Sequence, residues 1–125
     1  MTSTNLSNLA KIGQLDPVAF SKDLVNRMLA TARQRLRDAQ WTQNSDETRF
    51  DCAYTAIRAV ADIGLHTNGF RTSTSKPGQH QTAIACLAHT LGVDDATLRV
   101  LDSFDARRIR FVRGKRLDPL SHFLP

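Results

Sequence analysis

The stretch SDETRFDCAYTAIRAVADIGLHTNG, residues 45–69, decides the fold. Ser45 can accept a hydrogen bond from a first-turn amide, and Asp46 and Glu47 stand where the positive end of a helix dipole favours carboxylates. From there Phe50, Ala53, Tyr54, Ile57, Val60, Ala61, Gly64 and Leu65 return at spacings of three and four, the period of an amphipathic helix. Asn68 and Gly69 stop it, because glycine accepts the left-handed conformation of a helix C-terminus. One long core helix is expected here.

The flanking segments read in the same way. A helix is expected to open at Asp16 and Pro17, with Asp capping and Pro pre-set for the first helical position, and to run to about Gln40. Phe20, Leu24, Val25, Met28, Leu29, Ala32, Leu36 and Ala39 form its apolar stripe. Trp41 follows, either as an interface anchor or as a partly buried helix-end residue. Residues 70–79 read as an exposed loop. A third helix is expected over residues 80–91, ended by Gly92, and a fourth from Asp94 or Asp95 to about Arg113, before Gly114. Residues 1–15 are expected as a tail or short docking helix, and 117–125 as an irregular tail with two prolines. No alternating strand pattern is evident. The expected fold is all-α: an antiparallel up-and-down bundle of four to five helices over residues 16–116.

With 125 residues, 41% hydrophobic and 23% charged, the chain suits one folded domain. No apolar run approaches the roughly 18 residues that cross a bilayer, and the polar start shows no secretory pattern, so a cytoplasmic location is expected. Cys52 and Cys86 lie apart, outside any CxxC pair, and read as buried small hydrophobes. His66, His80, His89 and His122 lack metal-ligand spacing, so no metal and no cofactor is expected. Residues 72–78 contain Lys76 and hydroxyls without the GxxxxGK[ST] pattern that cradles phosphate.

Seventeen Lys and Arg against twelve Asp and Glu give a net charge of +5, which favours an anionic partner. The charge is concentrated. Residues 107–116, RRIRFVRGKR, hold Arg107, Arg108, Arg110, Arg113, Lys115 and Arg116 and no acid. The helix C-terminal dipole accounts for two or three such cations. Six within ten residues repel one another, and a docked polyanion would relieve that repulsion. Without aromatic interleaving, a single-strand stacking platform is disfavoured. Arg108, among Phe104 and Phe111, should find a carboxylate, with Asp51 and Asp62 as candidates across the bundle, or remain at a dimer seam.

Four segments resemble one family. RFDCAYTAIRAVAD, residues 49–62, resembles the second helix of the HEPN superfamily of small helical bundles. HTNGFRT, residues 66–72, is similar to the turn that follows it, and His80, Gln81 and Thr82 to the start of the third helix. LDSFDARRIR, residues 101–110, resembles the fourth-helix segment, so the likeness spans roughly residues 20–115. The resemblance implies a homodimer that binds RNA or nucleotide, or a metal-independent ribonuclease toxin with a nucleotidyltransferase partner protein. Active members place an Arg, a polar residue and a His on the last helix. Arg110 matches the Arg, but Phe111 occupies the polar slot and no His lies within 111–116. Arg116 and His122 have a formal spacing, broken by Pro119. A non-catalytic RNA- or nucleotide-binding module is therefore the leading expectation. The enzyme alternative uses Arg110 with His80 or His122, and a third option is an antitoxin-like interaction subunit.

Overall fold

Ser45 does what its position asks: its hydroxyl accepts from the Thr48 amide at 3.1 Å and opens a 22-residue helix. The computed structural model describes residues 4–112, and the side chains among them as far as Ser103. In chain order these form α1 (Thr4–Lys11), β1 (Leu15–Pro17), α2 (Lys22–Gln40), α3 (Asp46–Thr67), β2 (Phe70–Thr72), α4 (Gln79–Ala85), α5 (Leu87–Thr90) and α6 (Asp95–Val112). The described chain is mostly helical, with one small sheet in which β1 and β2 pair antiparallel.

That sheet corrects the all-helical expectation. Leu15 pairs with Thr72, Asp16 with Arg71 and Pro17 with Phe70. Three residues per strand are too few to show an alternating pattern, and Pro17 is tolerated because each strand has a free edge. The ribbon also changes the start of the long helix. Asp16 and Pro17 are not its cap; they lie in β1, and the chain turns before Ser21 caps α2 by accepting from the Leu24 amide at 3.2 Å. Both readings are locally sound cap chemistry, and strand pairing decided between them.

The segment 70–79 is likewise not wholly an exposed loop. Phe70–Thr72 is strand, and Thr72 and Ser73 are buried. Gly69, at φ +86°, makes the reversal from α3 into β2. The expected third helix is broken in two at Cys86, and Leu91, expected inside, is half-exposed. Asp94 caps α6, accepting from the Thr97 amide at 2.8 Å.

Helices α2 and α3 form a hairpin clamped at both ends. At one end Arg49, buried in α3, donates from Nε to the Ala39 carbonyl at 2.8 Å, and Asn44 donates to the Asp38 carbonyl at 2.9 Å. These bonds satisfy carbonyls that the end of α2 leaves unpaired. At the other end His66 accepts the Ser21 amide on Nε2 at 2.8 Å.

The main core lies on the other side of α3. Leu6, Leu15, Ala61, Leu65, Ala83, Ile84, Cys86 and Leu87 are buried together, with Leu98 and Leu101 of α6 packed against them. Leu6 is fully buried, so α1 is the docking helix among the two expected options. Burial of a side chain such as Leu6 or Leu65 contributes roughly 1.5–3 kcal/mol. From α2 only Ala32 and Ala39 are buried; Phe20 and Leu36, expected in its stripe, stay largely exposed. Phe104, Ile109 and Val112, expected as apolar contacts of the last helix, have side chains outside the described residues.

Two outcomes follow from this placement. Leu65→Ala should lower the unfolding free energy by about 2–5 kcal/mol, whereas Leu36→Ala should cost about 0.5 kcal/mol or less; urea titration followed by circular dichroism compares them. Burial raises the Cys86 thiol to about 11. Cys86 should therefore resist iodoacetamide at pH 8 in the folded protein and react readily in urea; equal rates in the two conditions would contradict its burial.

Candidate functional site

Arginine on a helix with a carboxylate one turn later forms a familiar surface pair. In α3 this pair is Arg58 and Asp62, with Nε 3.1 Å from each carboxylate oxygen. The tertiary structure then adds two partners from outside the helix. β2 brings Thr72, whose hydroxyl accepts from Arg58 Nη2 at 3.2 Å. α4 begins after Gly78, in the left-handed conformation at φ +80°, and its second residue His80 sets Nδ1 2.7 Å from Arg58 Nη1.

The chemistry of that contact is determined by the guanidinium. Arginine has only donors, so His80 Nδ1 must accept, and the imidazole proton sits on Nε2. The ring also lies 5.8 Å from the buried Tyr54, tilted by 47°. Arg58 is thus held on three sides by an acid, a hydroxyl and an imidazole. A side chain so constrained presents its charge in one place.

Beside it opens a cleft of about 260 Å³, bounded by Val18, Leu24, Met28 and Phe70 on its apolar side and by Arg58, Asp62, His66, Arg71, Thr72, Thr74 and Gln79 on its polar side. Arg71 is exposed, and its side chain makes no hydrogen bond or ion pair among the described residues. His66 lines the same cleft, its Nε2 already committed to the Ser21 amide and its ring against Phe20, 5.6 Å between centroids. The cleft therefore offers one braced cation, one free cation and hydrogen-bonding groups over an apolar floor. That combination suits an anionic group carried on a flat or apolar body.

Asp62 is the balancing charge. Its carboxyl is raised above the ordinary value because removal from water outweighs the attraction of Arg58 and the hydrogen bond from it. About a third of the side chain remains exposed, so some of that desolvation is relieved by solvent.

Of the residues expected to act, His80 is in this cluster. Asp62 is bound to Arg58, one helical turn away; the expected contact of Asp51 or Asp62 with Arg108 involves a side chain outside the described residues. Arg107, Arg108 and Arg110 belong to α6, with side chains outside the described residues; Arg113, Lys115, Arg116 and His122 lie outside them altogether. Arg58, Arg71 and His66 did not stand out in the sequence. The i, i+4 charge pair was legible, but its convergence with β2 and α4 was not. Among the described residues no group of three or more His, Cys, Asp or Glu could hold a metal ion, and no helix is long and apolar enough to cross a membrane.

No family model, curated protein or solved structure matches the chain.

The ionisation of Asp62 tests the cluster. Its carboxyl carbon, followed by NMR, should titrate above the ordinary carboxylate range, and Arg58→Gln should move the midpoint higher still by removing both lowering interactions. Since the folded-state value is raised, ionising Asp62 costs stability as pH climbs through the ordinary carboxylate range towards that midpoint. Asp62→Asn should flatten this part of the stability profile. A downward shift in Arg58→Gln would mean that the pair is not formed.

Proposed function

We propose that the chain is a HEPN-like antiparallel helical bundle that binds RNA or a nucleotide, without cutting it, through the Arg58–Arg71 cleft and the basic end of α6. The observation that carries this reading is the bracing of Arg58 by Asp62, Thr72 and His80 in a cleft shared with Arg71, whose side chain has no ion pair among the described residues. Guanidinium groups offer phosphate oxygens a planar fork of donors that a solvated lysine fringe does not. The net charge of +5 draws the same class of ligand. In the sequence Arg107, Arg108, Arg110, Arg113, Lys115 and Arg116 add a second concentration of positive charge that favours the same class of ligand.

A short 5′-labelled single-stranded RNA, titrated with the protein at 50 and 200 mM salt, tests the reading. Binding should weaken steeply as salt rises, because each neutralised phosphate releases counterions. Arg71→Gln should weaken binding and reduce the salt slope by about one. Salt-independent binding, or an Arg71→Gln variant indistinguishable from the parent, would count against the cleft.

A second reading is favoured by one contact, the 2.7 Å approach of Arg58 to His80. In a metal-independent ribonuclease an arginine steadies the phosphate while a histidine moves the proton of the ribose 2′-hydroxyl. With its proton on Nε2, His80 has the form of a general acid for the leaving oxygen, and Arg58 or Arg110 is the residue type that steadies the phosphate. Cleavage of the same RNA in chelator, abolished in His80→Ala, would establish it; intact RNA after prolonged incubation would leave the binding reading alone.

A further inference from the structure

On the far side of α3 from the polar cleft lies a second opening, and its chemistry is of another kind. Leu36, Val60 and Leu91, which are 51%, 39% and 54% exposed, border an apolar groove of about 410 Å³ between α2, α3, α5 and α6. Among the described residues α2 makes its substantial contacts with α3 alone, so the opposite flank of α2 has no neighbour. Leu29, Ala32 and Leu36, which line the groove where α2 meets α3, stand at i, i+3 and i+7, the spacing of a helix seam, with the buried Ala32 at its floor. Ile57 and Val60 of α3 form the adjoining wall. Apolar residues this large, contiguous and half-exposed mark an interaction surface.

The charge along the groove is asymmetric. Arg33 and Arg37, one turn apart, border the seam on the edge away from α3, where flanking charges select a partner helix. Arg33 makes no hydrogen bond or ion pair among the described residues, and Arg37 meets only the neutral Gln34, at 2.9 Å. The nearest acid on α2, Asp38, is taken by Arg35 and Gln34. On the α6 side the exposed Asp94 and Asp95 follow Val93, so the two walls differ in sign.

We propose that this groove receives an amphipathic helix of a partner protein, with apolar residues at helical spacing in the seam and carboxylates on the flank that meets Arg33 and Arg37. A trough between two packed helices takes the ridge of a third in the usual geometry of helix packing. Two other occupants are disfavoured by charge. A second copy laid in by its own α2 would set Arg33 and Arg37 against their equivalents on a chain of net charge +5. The segment 113–125 holds three Lys and Arg against one Asp in its sequence, so it lacks the run of carboxylates that Arg33 and Arg37 call for. The homodimer implied by the family resemblance would then use a different face.

Two designed peptides of identical leucine seam, one with Glu and one with Lys along the flank facing α2, test the proposal with the full chain. Fluorescence anisotropy at low salt should show the Glu peptide binding about five-fold tighter or more, the size of two exposed ion pairs. Arg33→Glu combined with Arg37→Glu should reverse the order, and Leu36→Asp should abolish both interactions while circular dichroism shows helicity unchanged. Val60→Asp serves as the second seam variant if Leu36→Asp unfolds the protein. Equal affinities for the two peptides, or no binding of either, would overturn the proposal. So would a dimer in sedimentation that Leu36→Asp or Val60→Asp dissociates, since a second copy would then fill the groove.

Discussion

Burial of α3 on nearly every side is the constraint on which the rest depends. α2, β2, α4, α5 and α6 all pack on this one helix. Its apolar residues run around most of its circumference, and a helix of that kind has no stable place at a surface. The smaller elements settle where they cover it. Gly64 shows how close the covering is: a Cβ there would lie 2.6 Å from the Thr90 hydroxyl oxygen. Only a residue without a side chain lets α5 approach at that point.

A central helix pays heavily for any polar residue it carries, since a buried donor without an acceptor loses its hydration for nothing. α3 carries Arg49, Arg58, Asp62 and His66, and each has found a use. Arg49 closes the end of α2, although its Nη2 is buried without an acceptor among the described residues. His66 receives the Ser21 amide at the other end of the same hairpin. Arg58 and Asp62 neutralise one another and recruit Thr72 and His80. The polar cleft is thus a consequence of how the central helix satisfies its own charges, and the site and the fold share the same bonds.

The two openings of the molecule differ because the two sides of α3 are covered differently. Towards β2 and α4 the neighbours are short and bring polar groups, leaving a cleft of mixed character. Towards α2 the neighbour is long and amphipathic but offers only Ala32 and Ala39 to the interior. Small residues let two helices come close, and the larger leucines are then left on the outer flank. An apolar groove results, lined by aliphatic side chains with Arg33 at its border.

Much of the skeleton was determined by local sequence alone. Ser45, Asn68 and Gly69 delimit α3 because capping and left-handed turns depend on side chains within a few residues of each other. The helical period of residues 50–65 and the burial of both cysteines follow from the same short-range pattern. What only the tertiary structure decided were the contacts between segments far apart in the chain. Leu15–Pro17 became a strand because Phe70–Thr72, more than fifty residues away, supplied the pairing partner. His80 became part of a site because α4 lays it against Arg58, and a helical period records which face is apolar but not which neighbour will meet its polar side.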